Sequence, residues 1–573
     1  MSGFIVVPRT LEHAVLSALI KQQTAAGFSM VLQHTTTHWQ ILGFAPLLTH
    51  MPDSLYQSEQ GFAYCSGSFF YRNHIGREAL HAAFKASQAG TFEATDANGH
   101  YALLIGDAHR CQLYRDTLPS NRIYKNKADN CFSNLLLPMC QLETTLSIDP
   151  QGLYEYAWLQ ANHGQRTPFR EITALGANET LTIDDHDTHA NIRTLPALDW
   201  AHPMQAQQQE QHIVEHYAHT LKQALAPSIE AFGSRIKTAL SGGYDSRLIA
   251  AALVDDCEAN YYVYGSPTSA DRVVATHIAN ALKLNFTAIE KPTQCALSEQ
   301  AYIDYIERKT VVFDGLYVDG LFDNGVDMHD RMSRLQDADI LLIGSGGEAL
   351  RNFFYLPDKR YTLDQLISTF YSTYDPAACT QAFDEHNFRQ QLSHQLAQDV
   401  GVDPEQTLSR QQVELAYPLF RVRHWSSREI AVNQRYGWTF YPYLHPDMIK
   451  GTASIPLQWK NYGRLEGKMI QRLSPEMAAI DSDYGFSFDR PIPLKYRLKM
   501  QSTYLRPCWL RRYSYRIKMR AKPQLSWPYQ SRLSHWMDPT LPQMSAYFHL
   551  EKIKDPQVFN RLATVEYLLN IHK

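Results

Sequence analysis

Short apolar or aromatic runs, broken by glycine, asparagine and aspartate, fill about the first 190 residues of the chain. The clearest are GFAYCSGSFFYRN (61–73), HYALLIGDAHRCQLYRD (100–116) and ETLTIDD (179–185). Runs of this length with turn residues between them are typical of β-hairpins. The pattern therefore predicts a mainly antiparallel sheet structure in this part of the chain.

From about residue 213 the pattern changes to alternating strands and helices. The successive segments are IKTAL (236–240), SRLIAAALV (246–254), NYYVYG (260–265), ADRVVATHIANALKL (270–284) and NFTAIEK (285–291). Such alternation predicts right-handed crossovers and a parallel sheet. The glutamine-rich stretch HPMQAQQQEQH (202–212) lies between the two patterns, as a linker or the start of a helix. We therefore expect domains at 1–200 and 210–490, followed by an extension at 491–573.

Length and composition limit the class of protein. A chain of 573 residues is too long for one ordinary domain, and 44% apolar with 20% charged residues is typical of a soluble globular protein. The net charge of −4 argues against wholesale nucleic-acid binding. Eight cysteines without a C-x-x-C pair indicate neither a zinc site nor a disulfide framework. With no leader peptide and no run of about 18 apolar residues, we expect a cytoplasmic protein that does not span a membrane.

The stretch TALSGGYDSRLIAAAL (238–253) places two glycines between a predicted strand and a predicted helix. Such turns bind anions, because glycine lets the backbone approach closely and the first N–H groups of the helix point outward. The stretch lacks the lysine of a Walker A loop and the spacing of a dinucleotide fingerprint. What remains is the pattern S-G-G-x-D-S, which is either a capped glycine turn or a phosphate-binding loop.

This pattern resembles the pyrophosphate-binding loop of the N-type ATP pyrophosphatases, and its surroundings resemble the asparagine synthetase family. The resemblance implies a doubly wound PP-loop domain that uses ATP and Mg²⁺. By analogy, the amides of Gly242 and Gly243 and the hydroxyls of Ser241 and Ser246 would hold the β- and γ-phosphates. Asp245 would bind magnesium.

A second loop, in ADILLIGSGGEALRNFFY (338–355), resembles the other phosphate- and magnesium-binding loop of that family. On this match Gly346 and Gly347 contact ATP, and Glu348 stands where the second magnesium-binding aspartate belongs. Ser345 occupies the position that is acidic in asparagine synthetases and a tyrosine of the amine-activating machinery in β-lactam synthetases, so it is a candidate catalytic residue. Ala349 replaces a further acidic residue.

The segment 441–475 resembles the P-F-L-D segment of the family and its K-x-x-x-R helix. The match implies that Lys468 is a buried lysine that neutralises charge on the α-phosphate, with Arg472 supporting it one turn later. The alternative is an ordinary solvated helix face, on which a lysine and an arginine at this spacing are common.

The first domain resembles the N-terminal nucleophile (Ntn) glutaminase domain of the family, an αββα sandwich, in a degenerate form. Glutamine hydrolysis there needs a cysteine exposed at the mature N-terminus. This chain has Ser2 instead, and its glutamine-binding motifs are not recognisable. We expect a structural relic that releases no ammonia from glutamine, although Ser2 leaves a residual hydrolase as an alternative.

The resemblance implies an ATP-dependent amide synthetase that forms AMP and pyrophosphate by adenylating a carboxylate and coupling it to an amine or free ammonia. β-Lactam synthetases and lasso-peptide cyclases also lack the glutaminase cysteine, which favours peptide natural-product biosynthesis. The alternatives are an amidotransferase acting on acidic sugars of a surface polysaccharide, and a nucleotide-binding pseudoenzyme. Ser345 and Ala349 replace side chains that are acidic in asparagine synthetases. Their loss favours the pseudoenzyme.

One charged segment stands apart from these motifs. Residues 490–522 contain eleven basic and no acidic residues, interleaved with aromatic residues. The segment is either a solvated helical surface or a docking surface for an anionic partner. Nucleic acid is disfavoured because no recognisable module is present. The nearby aromatic residues that would suit stacking on sugars are Trp509, Tyr513, Tyr515, Trp527 and Trp536.

Overall fold

Two antiparallel sheets form the first part of the protein in the computed structural model, which describes residues 3–196, 198–200, 209–290, 297–523 and 530–571. Their strands are β1 (Gly3–Pro8), β2 (Met30–Thr35), β3 (Trp39–Phe44), β4 (Leu55–Ser58), β5 (Gly61–Tyr71), β6 (His74–Ile75), β7 (Ala97–Gly106), β8 (Arg110–Arg115), β9 (Tyr124–Asn126), β10 (Phe132–Ser133), β11 (Ile172–Ala174), β12 (Glu179–Asp184) and β13 (Asn191–Thr194). One sheet has the order β11-β9-β10-β1-β3-β2. The other has the order β13-β12-β8-β7-β5-β4, with β6 paired to β5.

Alternation along β1 decides how these sheets pack. Phe4 and Val6 point between the two sheets and contact a core that includes Leu104 of β7. Ile5 and Val7 point to the opposite face, where helices cover the sheet. The second sheet is covered on its outer face by another helix. Because side chains alternate with a period of two, each strand buries apolar groups on both faces, and the result is a four-layer αββα sandwich.

Five parallel strands form a third sheet. They are β14 (Ile236–Ala239), β15 (Asn260–Tyr264), β16 (Asn285–Ile289), β17 (Ile340–Leu342) and β18 (Thr439–Phe440). Their order is β16-β15-β14-β17-β18, and every pairing is parallel. The carboxyl ends of β14 and β17 are therefore neighbours at one edge of the sheet.

Helices surround the sheets and fill most of the remaining chain. The helices are α1 (His13–Ala25), α2 (Gly76–Gln88), α3 (Leu136–Leu142), α4 (Pro150–Leu159), α5 (Glu210–Phe232), α6 (Tyr244–Leu253), α7 (Ala270–Leu282), α8 (Glu299–Val312), α9 (Asp327–Leu335), α10 (Leu363–Phe370), α11 (Glu385–Val400), α12 (Arg410–Ala416), α13 (Ser427–Tyr436), α14 (Pro446–Ile449), α15 (Leu457–Lys460), α16 (Arg464–Leu473), α17 (Pro475–Ala478), α18 (Leu494–Tyr504), α19 (Cys508–Arg520), α20 (Pro542–Ser545) and α21 (Pro556–Asn570). A π-helix, Tyr417–Ser426, joins α12 to α13.

The sequence predicts an α/β protein with a degenerate Ntn-type αββα sandwich, followed by a doubly wound parallel-sheet domain. The layers and the strand directions of the structure confirm this fold class. Most of the predicted linker, 201–208, lies outside the described residues, and α5 follows it. Within 491–573, α21 is buried: Arg561 donates to the carbonyl oxygens of Ala157 and Val318. None of the helices in the described ranges combines the length and apolar composition that crossing a membrane requires.

Buried polar contacts join the sandwich to the parallel-sheet region. The guanidinium of Arg435 in α13 is 1% exposed. It donates to the carbonyl oxygens of Val311 and Val312 and to Oε1 of Gln23 in the sandwich. It also lies over the ring of Phe28, 3.8 Å from its centroid. Burial lowers the pKa of Arg435 to about 10, and the charge of Asp314 opposes this effect.

We expect Arg435→Met to lower the free energy of unfolding by about 3 kcal/mol or more, because it removes the donor that three buried acceptors share. The midpoint of urea unfolding measures this. The matched control is Arg472→Met, because the Arg472 side chain is 58% exposed; its effect should stay within about 0.5 kcal/mol. Equal midpoints for the two variants would contradict the role given to Arg435.

Candidate active site

The first glycine loop connects β14 to α6. The Ser241 amide donates to Oγ of Ser246 over 2.9 Å, and the two hydroxyl oxygens lie 2.8 Å apart. The amide of Gly243 donates to Oγ of Ser241. Asp245 lies in the first turn of α6. The structure therefore brings all the residues predicted to bind phosphate in this loop into one compact turn at the amino end of a helix.

The second glycine loop follows β17 and lies against the first. A Cβ atom on Gly347 would meet Oδ1 of Asp245 at 2.1 Å, so only glycine allows this approach. Gly346 has φ of +104° and faces Leu444. Ser345 is half-buried between these glycines and β17.

An arginine to which no sequence motif assigns a role, Arg351, joins the acidic residues of the two loops. Nη2 of Arg351 lies 2.6 Å from Oδ2 of Asp245 and 3.9 Å from Oε1 of Glu348. Its Nη1 lies 3.7 Å from Oε2 of Glu466, a fully buried residue in α16. Three carboxylates from three elements thus meet around one guanidinium. We call Asp245, Glu348, Arg351 and Glu466 the carboxylate cluster.

Burial and neighbouring charges dominate the electrostatics of the cluster. Burial raises the pKa of the Asp245 carboxyl, against the effect of Arg351. It raises the pKa of the Glu466 carboxyl well above its ordinary value. Oδ1 of Asp245 and both carboxylate oxygens of Glu466 are buried without a hydrogen-bond partner. Such atoms are costly to bury, so their presence points to a site that takes a cation or a proton.

Two tyrosines hold the cluster from opposite sides. The hydroxyl of Tyr417, at the start of the π-helix, donates to Oε2 of Glu348 over 2.5 Å. The hydroxyl of Tyr443 donates to the backbone oxygen of Asp245 over 2.7 Å. These contacts fix the positions of both magnesium-binding candidates.

The expectation that Lys468 is buried at this site is wrong. Lys468 is exposed, and its Nζ donates to Gln471 on the same helix. Arg472 is also exposed and pairs with Glu215 at 2.6 Å. Residues two apart on a helix are separated by about 200°, so the face of α16 that turns Glu466 inward turns Lys468 outward. Lys468 and Arg472 follow the alternative of a solvated helix face.

The sequence signal for Arg351 and Glu466 was present but weak. Arg351 follows Glu348 by three residues, a spacing that favours contact in a helical turn. Glu466 precedes two apolar residues, Met469 and Ile470, that mark the buried face of α16. A charged residue on an apolar helix face is unusual enough to suggest a site.

Acidic residues also cover the first glycine loop. Oδ1 of Asp271 accepts a hydrogen bond of 3.0 Å from the amide of Gly242. A Cβ atom on Gly242 would meet the Cβ of Asp483 at 2.7 Å. A carboxylate oxygen therefore occupies the acceptor position on this amide, where an anion can bind.

The donor set suits magnesium carried by phosphates. Asp245 and Glu348 are hard oxygen ligands, and Oδ1 of Asp245 has no hydrogen-bond partner. In the described ranges no three His, Cys, Asp or Glu residues form a protein-only metal site. Mg²⁺ usually takes one or two carboxylates together with substrate phosphates, so the residues fit such an ion.

The glutaminase prediction is only partly covered by the structure. Ser2 lies outside the described residues. Within β1, the Phe4 amide donates to Oδ1 of Asn134, and Asn134 donates to Oγ of Ser66. All three residues are buried, so side chains fill the start of β1.

A large cavity lies away from both loops. It has a volume of about 700 Å³ and is lined by residues of the sandwich, α11 and the π-helix, such as Arg115, Arg122 and Arg423. None of its lining residues belongs to the carboxylate cluster. The convergence of loops, and not the size of the cavity, therefore identifies the candidate active site.

Comparison with known proteins gives a limited result. No family profile matches the sequence, and no curated protein matches it. Glutamine phosphoribosylpyrophosphate amidotransferase from B. subtilis, in complex with ADP and GMP, aligns with a TM-score of 0.23 and 10% identity over 50% of this chain and 65% of its own. The allosteric regulatory enzyme of purine biosynthesis aligns with a TM-score of 0.23 and 9% identity, over 53% of this chain and 77% of its own. Likenesses this low identify neither the family nor the activity of the chain.

We expect Arg351→Met to destabilise the protein in EDTA by about 3 kcal/mol, because three carboxylates then lack their shared cation. Mg²⁺ should restore part of this loss by replacing the guanidinium. Urea unfolding with and without Mg²⁺ measures both effects. Arg464→Met is the matched control, since Arg464 is 43% exposed and pairs with Glu210; it should cost at most about 1 kcal/mol. A loss that Mg²⁺ leaves unchanged would contradict the cation site.

Proposed function

We propose that the protein is an ATP-dependent amide synthetase that adenylates a carboxylate, releases pyrophosphate, and couples the acyl group to an amine or to free ammonia. The observation that carries the proposal is the meeting of two glycine loops, with Asp245 and Glu348 facing one guanidinium between them. Neighbouring loops at the carboxyl ends of parallel strands are where open α/β sheets bind ligands.

The chemistry assigns a task to each group. A carboxylate oxygen of the substrate attacks the α-phosphorus of ATP, and the bond to the bridging oxygen of pyrophosphate breaks. The amides of Gly242, Gly243, Gly346 and Gly347, with the hydroxyls of Ser241 and Ser246, would hold the phosphates. Magnesium on Asp245 and Glu348 would supply charge neutralisation when bound. The amine then attacks the acyl carbon, loses a proton, and AMP leaves.

Arg351 takes the place that the family resemblance assigns to Lys468. Its guanidinium is buried among carboxylates, and Glu466, Asp245 and Glu348 outweigh the effect of burial and raise its pKa well above the ordinary value. It therefore carries a positive charge at any working pH. In this proposal Arg351 moves from the carboxylates to the phosphates when ATP and magnesium bind, since it fits both bidentately.

The predicted loss of glutaminase activity favours a peptide natural product as the substrate. Acidic sugars of a surface polysaccharide are the alternative substrate. A nucleotide-binding pseudoenzyme is a second candidate function. Ser345 and Ala349 support it, because they stand where the family resemblance expects groups that activate the amine. ATP binding without pyrophosphate exchange would select it.

For the basic segment we propose an anionic lipid surface as partner. Its helices α18 and α19 expose large apolar side chains: Leu494 is 68%, Leu498 63%, Trp509 65% and Ile517 62% exposed. Eleven basic residues and no acidic residue accompany them between 490 and 522. Exposed apolar groups among cations are typical of helices that lie in a membrane interface.

We expect ATP–pyrophosphate exchange with Mg²⁺ in the presence of aspartate, glutamate or a fractionated extract of the source cells. Asp245→Asn and Glu348→Gln should each lower the exchange rate by about 100-fold or more, because they remove charge that faces the phosphates. Lys468→Ala should stay within about twofold of the wild type, since Lys468 is exposed. Exchange that persists in Asp245→Asn, or that is lost in Lys468→Ala, would contradict this assignment.

We expect the protein to sediment with vesicles of phosphatidylglycerol and not with vesicles of phosphatidylcholine alone. Trp509→Ser and Ile517→Ser should each weaken this binding several-fold, because each removes apolar area from the interface. Leu195→Ser is the control: Leu195 is 52% exposed on the sandwich, far from the basic segment in sequence. Equal weakening by all three substitutions would contradict the lipid surface.

A further inference from the structure

A second pocket opens beside the candidate active site. It has a volume of about 420 Å³ and is lined by the end of α4, by α10 and the residues that follow it, by the π-helix and by the basic segment. Three arginines, Arg421, Arg506 and Arg511, line it, and none of its lining residues is acidic. We call it the Arg421 pocket. Three guanidiniums without a carboxylate in the wall create a strongly positive cavity.

Arg421 has no partner of its own in the described part of the chain. No hydrogen bond or ion pair engages its guanidinium, which lies 3.9 Å from the ring centroid of Trp425 and 5.3 Å from that of Phe370. Burial lowers its pKa, despite the attraction of Tyr371, Tyr417 and Glu348. The aromatic rings fix the position of the cation but do not neutralise it.

A buried hydroxyl and a second guanidinium add to the polar character of the wall. The hydroxyl of Tyr371, a residue 2% exposed, is buried without a hydrogen-bond partner. Arg511 donates to the carbonyl oxygens of Phe354, Tyr355 and Thr503, so its geometry is fixed while its charge stays uncompensated. Buried donors of this kind normally have acceptors, and here the wall supplies none for Tyr371.

The pocket is connected to the carboxylate cluster through side-chain packing. Tyr417, which donates to Glu348, precedes Arg421 by four residues on the same π-helix. The ring of Phe353 lies 4.5 Å from that of Tyr417 and 4.9 Å from that of Phe370. π-Helical segments are rare and frequently occur at functional sites, because they turn extra side chains to one place.

We propose that the Arg421 pocket binds a small molecule through a phosphoryl group. Three guanidiniums match a dianion better than a single carboxylate, and the planar fork of Arg421 suits two phosphoryl oxygens. The aromatic walls formed by Phe370 and Tyr515 would contact an organic part of the ligand. The proposal concerns binding alone and does not rest on the amide synthetase activity.

Calorimetric titration of the full chain tests this, with inorganic phosphate and phenyl phosphate as probes at constant ionic strength. Arg421→Gln should weaken phenyl phosphate binding by at least about tenfold, and Arg421→Lys, which keeps the charge but loses the fork, should weaken it less. Arg497→Gln is the matched control, because it removes a charge from the exposed face of α18 outside the pocket. It should change the affinity by less than about twofold.

Each outcome decides the proposal. Tighter binding of phenyl phosphate than of inorganic phosphate indicates a phosphorylated organic ligand, and equal binding indicates free phosphate. Absence of saturable binding, unchanged affinity in folded Arg421→Gln, or equal losses in Arg421→Gln and Arg497→Gln would overturn it. Ser246→Ala removes a hydroxyl of the glycine loop, so binding that survives this change is not at that loop. Pyrophosphate exchange by Arg421→Gln then reports on the synthetase separately.

Discussion

The parallel pairing of β14 with β17 is the constraint on which the candidate active site depends. These strands are far apart in sequence, and they lie side by side with the register Ile236 to Ile340. Because parallel strands end at the same edge, two glycine loops separated by about a hundred residues meet there. The close approach of Gly347 to Asp245 is a direct result, and no side chain larger than hydrogen allows it.

Charge compensation is the second consequence of this geometry. Asp245, Glu348 and Glu466 come from three elements, and burial makes their mutual repulsion costly. Arg351 compensates them in the structure, as a cation that its own loop provides. In the proposed function magnesium would take over part of this compensation, since carboxylates that share a guanidinium can instead share a metal. The unpartnered oxygens of Asp245 and Glu466 mark where this compensation is incomplete.

The π-helix Tyr417–Ser426 connects the carboxylate cluster with two cavities. Tyr417 on this segment donates to Glu348, Arg421 lines the positive pocket, and Arg423 lines the large cavity that the sandwich also lines. A regular α-helix would distribute these side chains differently, because each turn holds fewer residues. One irregular segment between α12 and α13 therefore contacts the carboxylate cluster and lines both cavities. The sequence gives little indication of it, since Pro418 is the only helix-disfavouring residue there.

Local patterns determined much of this protein. Period-two alternation and turn residues are sufficient to predict the hairpins of the sandwich, and strand–helix alternation predicts the parallel sheet, because both depend on neighbours in sequence. Glycine and serine spacing likewise identified both loops. Only the tertiary structure decided which charges face the loops. Lys468 and Glu466 are two residues apart on the same helix, and only the packing of α16 selects the face that is buried. Arg351, Tyr417 and Arg421 acquire their roles from contacts between elements distant in sequence, and such contacts leave no local pattern.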